Sequence, residues 1–208
     1  MELAQWLAFA GASTLLLLIP GPTVLLVLAY AAGEGRRIAV PTALGVATGD
    51  LVAMSASLAG LGALVLASAT AFTVLKWIGA VYLVWLGLRM IRGASAMRLS
   101  ADAKETALGP AEAFRNAAAV TALNPKSIAF FIAFVPQFVD PARAFAPQAA
   151  ILVATFVALA AVNALAYALI AGTMRGAIRQ PAVTTWLARG GGAALVGMGV
   201  ATAALRRA

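Results

Sequence analysis

The sequence predicts an all-α polytopic membrane protein whose six transmembrane helices form two inverted three-helix repeats. Three observations lead there. The 208-residue chain is 63% hydrophobic and only 11% charged, against roughly a quarter charged in a soluble domain, and its mean hydropathy is +0.96. Six apolar runs stand out, each near the ~20 residues that a helical span requires. The first three runs also resemble the last three in order. Continuous runs of this length exclude a transmembrane barrel, whose strands alternate in segments of roughly ten residues. Helices are the remaining way to pair every backbone polar group in lipid.

The first run, Leu3–Ala32, is long and is interrupted by Pro20-Gly21-Pro22. It starts at Met1-Glu2-Leu3 without a basic region and is too long for a signal-peptide core, so it reads as a retained span. The second and third runs are Ile38–Ser68 and Thr70–Ile91. A polar segment with both charge signs and Gly109-Pro110 follows, residues 92–113, and reads as a cytoplasmic linker. The last three runs are Phe114–Pro136, Pro147–Thr173 and Val183–Leu205. The whole chain, 1–208, is thus a single transmembrane domain with a first half at 1–91 and a second at 114–208.

The halves correspond at several places. Gly79–Gly87 of run three resembles Gly191–Gly199 of run six. Pro20-Gly21-Pro22-Thr23 of run one has Asn124-Pro125-Lys126-Ser127 in the matching place of run four. Asp50 of run two falls opposite Asn163 of run five. With three spans per half, the second half must enter the membrane the other way round, an arrangement frequent in secondary transporters. Basic residues orient the chain: Arg36 and Arg37, then Arg92, Arg98 and Lys104, then Arg175 and Arg179 mark alternate connections as cytoplasmic. Both termini then lie outside, against the pull of Arg206-Arg207. A re-entrant first span would instead put the N-terminus inside.

With no cysteine and no histidine, the chain has no disulfide or thiol chemistry, and a zinc, copper or haem site is not expected. No cofactor is called for. The net charge of +8 sits in short connections between apolar runs. It marks cytoplasmic loops rather than a nucleic-acid surface.

The most informative residue is Asp50. Nothing else charged lies between Arg37 and Lys76, so its carboxylate falls near the bilayer midplane. There it costs a few kcal/mol or more unless protonated, paired or facing a wet cavity. Such residues serve mainly to move ions or solutes. Pro20-Gly21-Pro22 should break its helix, because each proline removes a donor and clashes with the preceding turn. A break frees carbonyls before it and amides after it, which suit cations and anions respectively; a plain structural kink is the other reading. Lys126 either meets a substrate carboxylate, pairs with Asp50, or snorkels to the nearer surface. Asn124 either satisfies groups freed by Pro125 or lines a cavity. Gly45 and Gly49, like Gly79 and Gly87, are small residues at which helices approach closely. They also permit a homodimer. Trp77, Tyr82, Trp85 and Trp186 read as interface or core aromatics, and Pro136–Pro141 as a helix stop with a possible gating role.

At these residues the chain resembles the LysE/RhtB family of bacterial amino-acid exporters. The resemblance is carried by Ile19-Pro20-Gly21-Pro22, by Gly45-x-x-x-Gly49-Asp50 after Gly35-Arg36-Arg37, by Trp77-x-Gly79-x-x-Tyr82-Leu83, and by Asn124-Pro125-Lys126 followed by Phe130-Phe131 and Pro136–Asp140. It covers nearly the whole chain. It implies a multi-pass protein of the bacterial inner membrane, not an enzyme, that exports amino acids or close derivatives, driven by protons. The expected mechanism is alternating access. The substrate carboxylate meets the amides after Pro22, including that of Thr23, with or without Lys126; its ammonium meets Asp50, aided by Asn163, in exchange for a proton. A single intramembrane carboxylate leans the reading toward neutral substrates. A channel-like pore or an exporter of another small solute is the alternative. An intramembrane aspartyl protease would need a second deep carboxylate, which the sequence lacks.

Overall fold

Proline placement sets half of the helix starts. The computed structural model describes residues 1–19, 21–67, 69–93, 108–140, 142–171 and 181–204, and within these the chain is helical nearly throughout. Pro20, Pro141 and the basic residues Arg98, Lys104, Arg175, Arg179, Arg206 and Arg207 lie outside the described residues.

Eight α-helices are described: α1 Leu3–Leu18, α2 Pro22–Glu34, α3 Ala39–Ala67, α4 Ala69–Gly93, α5 Pro110–Ala122, α6 Pro125–Ala133, α7 Phe145–Ala171 and α8 Pro181–Ala204. Short 3-10 segments, Gly35–Ile38 and Val135–Phe138, join α2 to α3 and follow α6. Pro22, Pro110, Pro125 and Pro181 each open a helix, where the missing N–H has no helical partner to lose. Pro41 and Pro147 fall in first turns for the same reason.

The first and fourth apolar runs are each two helices. Ile19, ahead of Pro20, is extended at φ −71°, ψ 120°. Asn124, ahead of Pro125, is extended at φ −70°, ψ 109°. A residue before proline is pushed out of the helical region by the ring. The two breaks therefore share one cause. The axes of Leu3–Leu18 and Pro22–Ala31 differ by 57°.

Three helices, Ala39–Gly62, Thr73–Gly93 and Phe145–Ala171, are long and apolar enough to cross a membrane, and the bent pair α1–α2 makes a fourth candidate. Large apolar side chains such as Leu15, Val52, Val81, Ile151 and Val162 point outward around the molecule. A soluble protein would not carry so much apolar surface. Trp77, Trp85 and Trp186 are also exposed, and Arg89 lies over the Trp85 ring at 5.4 Å, a contact suited to the interfacial region.

Inside, close helix contacts rest on small residues. A Cβ added at Gly49 would lie 2.5 Å from the Ala118 carbonyl oxygen and 2.7 Å from Thr121 Cβ, and one at Gly45 would overlap the Phe114 carbonyl. These glycines press α3 against α5 within the chain. Gly87 and Gly192 bring α4 and α8 together in the same way, and Gly79 receives the Ala133 methyl of α6. Helix α7 buries one row, Leu152, Phe156, Ala160, Ala164 and Ala168, spaced four apart on one face. Its alanines let α2 and α3 come close. The short α6 is anchored by Phe130 and Phe131, both fully buried; the Phe131 and Phe156 rings meet edge to face at 4.8 Å, worth about 0.5–1.5 kcal/mol beyond area burial.

Candidate functional site

An α-helix ends with carbonyls that lack a helical partner. In a membrane interior these need other donors. Helix α1 ends at the first break, and side chains from the second half satisfy its last carbonyls one by one. Lys126 Nζ donates to Leu16 O at 3.0 Å and to Ile19 O at 2.9 Å. Asn163 Nδ2 donates to Leu17 O at 3.1 Å. Tyr167 Oη donates to Leu18 O at 3.2 Å. A cation at a helix C-terminus is also favoured by the helix dipole.

Lys126 reaches this position from the second residue of α6. It is 6% exposed and does not snorkel. Its side chain passes over Gly21, where an added Cβ would lie 3.3 Å from Nζ. Gly21 thus keeps the path of the lysine open. Asn124 caps α6: its Oδ1 accepts from the Lys126 amide at 3.1 Å, while Nδ2 donates to Thr23 Oγ1 at 3.1 Å. Thr23 and Thr121 hydroxyls share a further bond of 3.2 Å. One network therefore ties both breaks together, running from α5 through Asn124 and Thr23 to α2.

Asp50 lies on α3, one residue after the Gly49 contact. It is 2% exposed, and its Oδ1 has no hydrogen-bond partner. It forms no ion pair with Lys126; Arg143 and Asp140 do pair, at 3.1 Å, in the loop after α6. Asp50 and Lys126 nevertheless face one cavity, and Thr23, Asn124, Ser127, Asn163 and Tyr167 line it too. The structure thus gathers Asp50, Thr23, Asn124, Lys126 and Asn163 around one space. Gly21 and Pro22 stand at its edge beside Lys126, Pro125 opens α6, and Pro20 lies outside the described residues. Gly45, Gly49, Gly79 and Gly87 sit in helix contacts away from it.

Residues 14–205 match the LysE type translocator family. The chain belongs to that family. It is 34% identical over 208 residues to a homoserine/homoserine lactone efflux protein of Salmonella typhimurium, covering 100% of both chains. It is 33% identical over 200 residues to an uncharacterized membrane protein of Vibrio cholerae, 96% of this chain and 97% of that one. A leucine efflux protein of Enterobacter sp. is 34% identical over 139 residues, 65% of this chain and 63% of the other. No solved structure matches the chain. This LysE type translocator is a membrane transporter, not an enzyme.

The cavity of the translocator is small, about 20 Å³, which is room for roughly one water. An amino acid does not fit. The space is closed to a solute of that size in this structure. Tyr167, Ser127 and Thr121 join the site without having been singled out in the sequence. Tyr167 had a signal, since it lies four residues after Asn163 on the same helical face. Thr121 lies three before Asn124. Ser127 is a commonplace residue whose role appears only once α6 is placed.

Proposed function

We propose that this protein exports amino acids or close derivatives across the bacterial inner membrane by proton antiport. Two inverted three-helix halves, 1–91 and 114–208, joined by a cytoplasmic linker at 92–113, alternate access to a midplane site between the broken first and fourth spans. The observation that carries this reading is the buried Asp50 carboxylate, with an unpartnered oxygen facing a polar cavity between the two breaks. A buried carboxylate left unpaired is costly. It is retained where it exchanges partners. A proton and a substrate ammonium are two partners that can replace each other there, which gives antiport. The efflux proteins among the relatives support an amino-acid substrate. Asp50 is the single carboxylate buried among the described residues, so the site has a partner for one ammonium and none for a second cationic group. That favours neutral side chains.

In the closed form Lys126 is engaged by α1 carbonyls. The substrate carboxylate then falls to the first-turn amides of α2, beyond Pro22, where the dipole favours an anion. The test is export from proteoliposomes loaded with a panel of amino acids, with and without an imposed pH gradient. Gradient-dependent efflux of neutral amino acids is expected. Asp50→Asn should accumulate normally and lose gradient-driven export; normal export by this variant would remove Asp50 from the mechanism.

A further inference from the structure

Lys126 is the one cation buried among the described residues, and its ammonium is surrounded by neutral oxygen rather than by a carboxylate. Leu16 O and Ile19 O accept from it at 3.0 and 2.9 Å. Across the same cavity lie the unpartnered Asp50 Oδ1 and the hydroxyl-bearing side chains of Thr23 and Ser127. Free carbonyls at the C-terminal end of a half-helix, a carboxylate and hydroxyls are hard oxygen ligands, the type that holds alkali cations in broken-helix transporters. The lysine is not placed there by its own helix. It stands in the first turn of α6, where the dipole disfavours a cation. Its charge is drawn across to the end of α1.

We infer that the Lys126 ammonium is a tethered substitute for an alkali cation. It occupies a sodium-type site at the end of α1, so the protein needs no sodium, and the site binds sodium once the lysine side chain is removed. Lys126 and Asp50 together are neutral. Truncating the lysine leaves the Asp50 carboxyl without a counter-charge, the Ile19 carbonyl without a side-chain donor, the Leu16 carbonyl with the Ile19 amide alone, and the space of the side chain, into which a small monovalent cation can move. The inference deepens the proposed function, because it removes sodium as a coupling ion. It rests on the geometry of the break and not on which solute is exported.

The experiment reads thermal stability, so it works without any substrate. The unaltered protein, Lys126→Ala and the double variant Asp50→Asn/Lys126→Ala are purified in choline chloride and titrated with NaCl at constant ionic strength. The unaltered protein should not respond. Lys126→Ala should gain roughly 3–6 °C in Tm at ten times the dissociation constant, and the double variant should lose this gain with its carboxylate ligand. A sodium response in the unaltered protein, or none in folded Lys126→Ala, overturns the inference. So does accumulation of the double variant when Lys126→Ala fails to accumulate even in high sodium. If neither variant accumulates, export by the unaltered protein in sodium against choline decides: dependence on sodium overturns the inference, independence supports it. Absence of amino-acid export would sink the proposed function and leave the stability readout untouched.

Discussion

The two helix breaks begin alike and are held differently. Each has an extended residue before a proline, and in each the following helix opens on a proline, Pro22 at the first and Pro125 at the second. At the second break the chain looks after itself. Leu123 N donates to Ala119 O at 3.1 Å and Asn124 N to Thr121 O at 3.1 Å, and the Asn124 side chain caps α6. At the first break Ile19 has no polar side chain to offer. Beyond its own amide, which donates to Leu16 O at 3.2 Å, the end of α1 depends on Lys126, Asn163 and Tyr167, more than a hundred residues away in sequence. A break whose backbone groups are capped by its own residues can keep its form when its neighbours move. Under the alternating access proposed above, a break capped from the other half is one that a relative movement of the halves can release. We expect the first break to open and the second to stay formed during transport.

The largest effect on that contrast should come from Lys126. Replacing it with alanine in sodium-free medium removes two charge-assisted hydrogen bonds and leaves Asp50 without a counter-charge. The expected loss is roughly 3–5 kcal/mol, seen as a much lower Tm in detergent and as faster proteolysis near the break. A change within experimental error would mean that the first break is not held from the second half. Next comes the seat of the second break. Gly49→Ala must displace the Ala118 carbonyl and Thr121, an overpacking cost of about 1–3 kcal/mol. Gly60→Ala on the same helix meets nothing within 4 Å and should be neutral or slightly stabilising. Equal Tm values for the pair would show that α3 and α5 are not in the contact described.

Asn124 gives the comparison in its local form. Asn124→Ala removes the α6 cap and should cost about 1 kcal/mol; Asn124→Ser keeps a capping oxygen and should recover most of the Tm. Equal losses for both would place the weight on the Nδ2 bond to Thr23 instead.

How much of this was legible in the sequence follows the same division. The second break was readable because its signals are local: Asn124, Pro125 and the offset between them suffice for a capped helix start. The first break was readable as a break from Pro20-Gly21-Pro22, and Asp50 as a lone charge in apolar surroundings. The partner of Lys126 was not. Its acceptors are backbone carbonyls, which carry no residue identity, and only the fold brings the start of α6 beside the end of α1. The fourth run reads as one broken span because its pieces, α5 and α6, are 13 and 9 residues, neither long enough alone to cross a membrane.

The smallest effect is the most discriminating. Tyr167 Oη donates one bond of 3.2 Å to Leu18 O, and Tyr167→Phe removes that hydroxyl while keeping the ring. A single neutral hydrogen bond is worth about 0.5–1.5 kcal/mol, so Tm should fall by a few degrees at most. Because the bond holds α1 in the closed form, its loss should leave the export rate unchanged or raise it, the opposite of what loss of a substrate contact does. Asn124→Ala, which weakens the fixed break, should not raise the rate. If Tyr167→Phe instead lowers export many-fold at unchanged stability, the hydroxyl acts on the solute and not on the first break. The release of α1 would then have to rest on Lys126 and Asn163 alone.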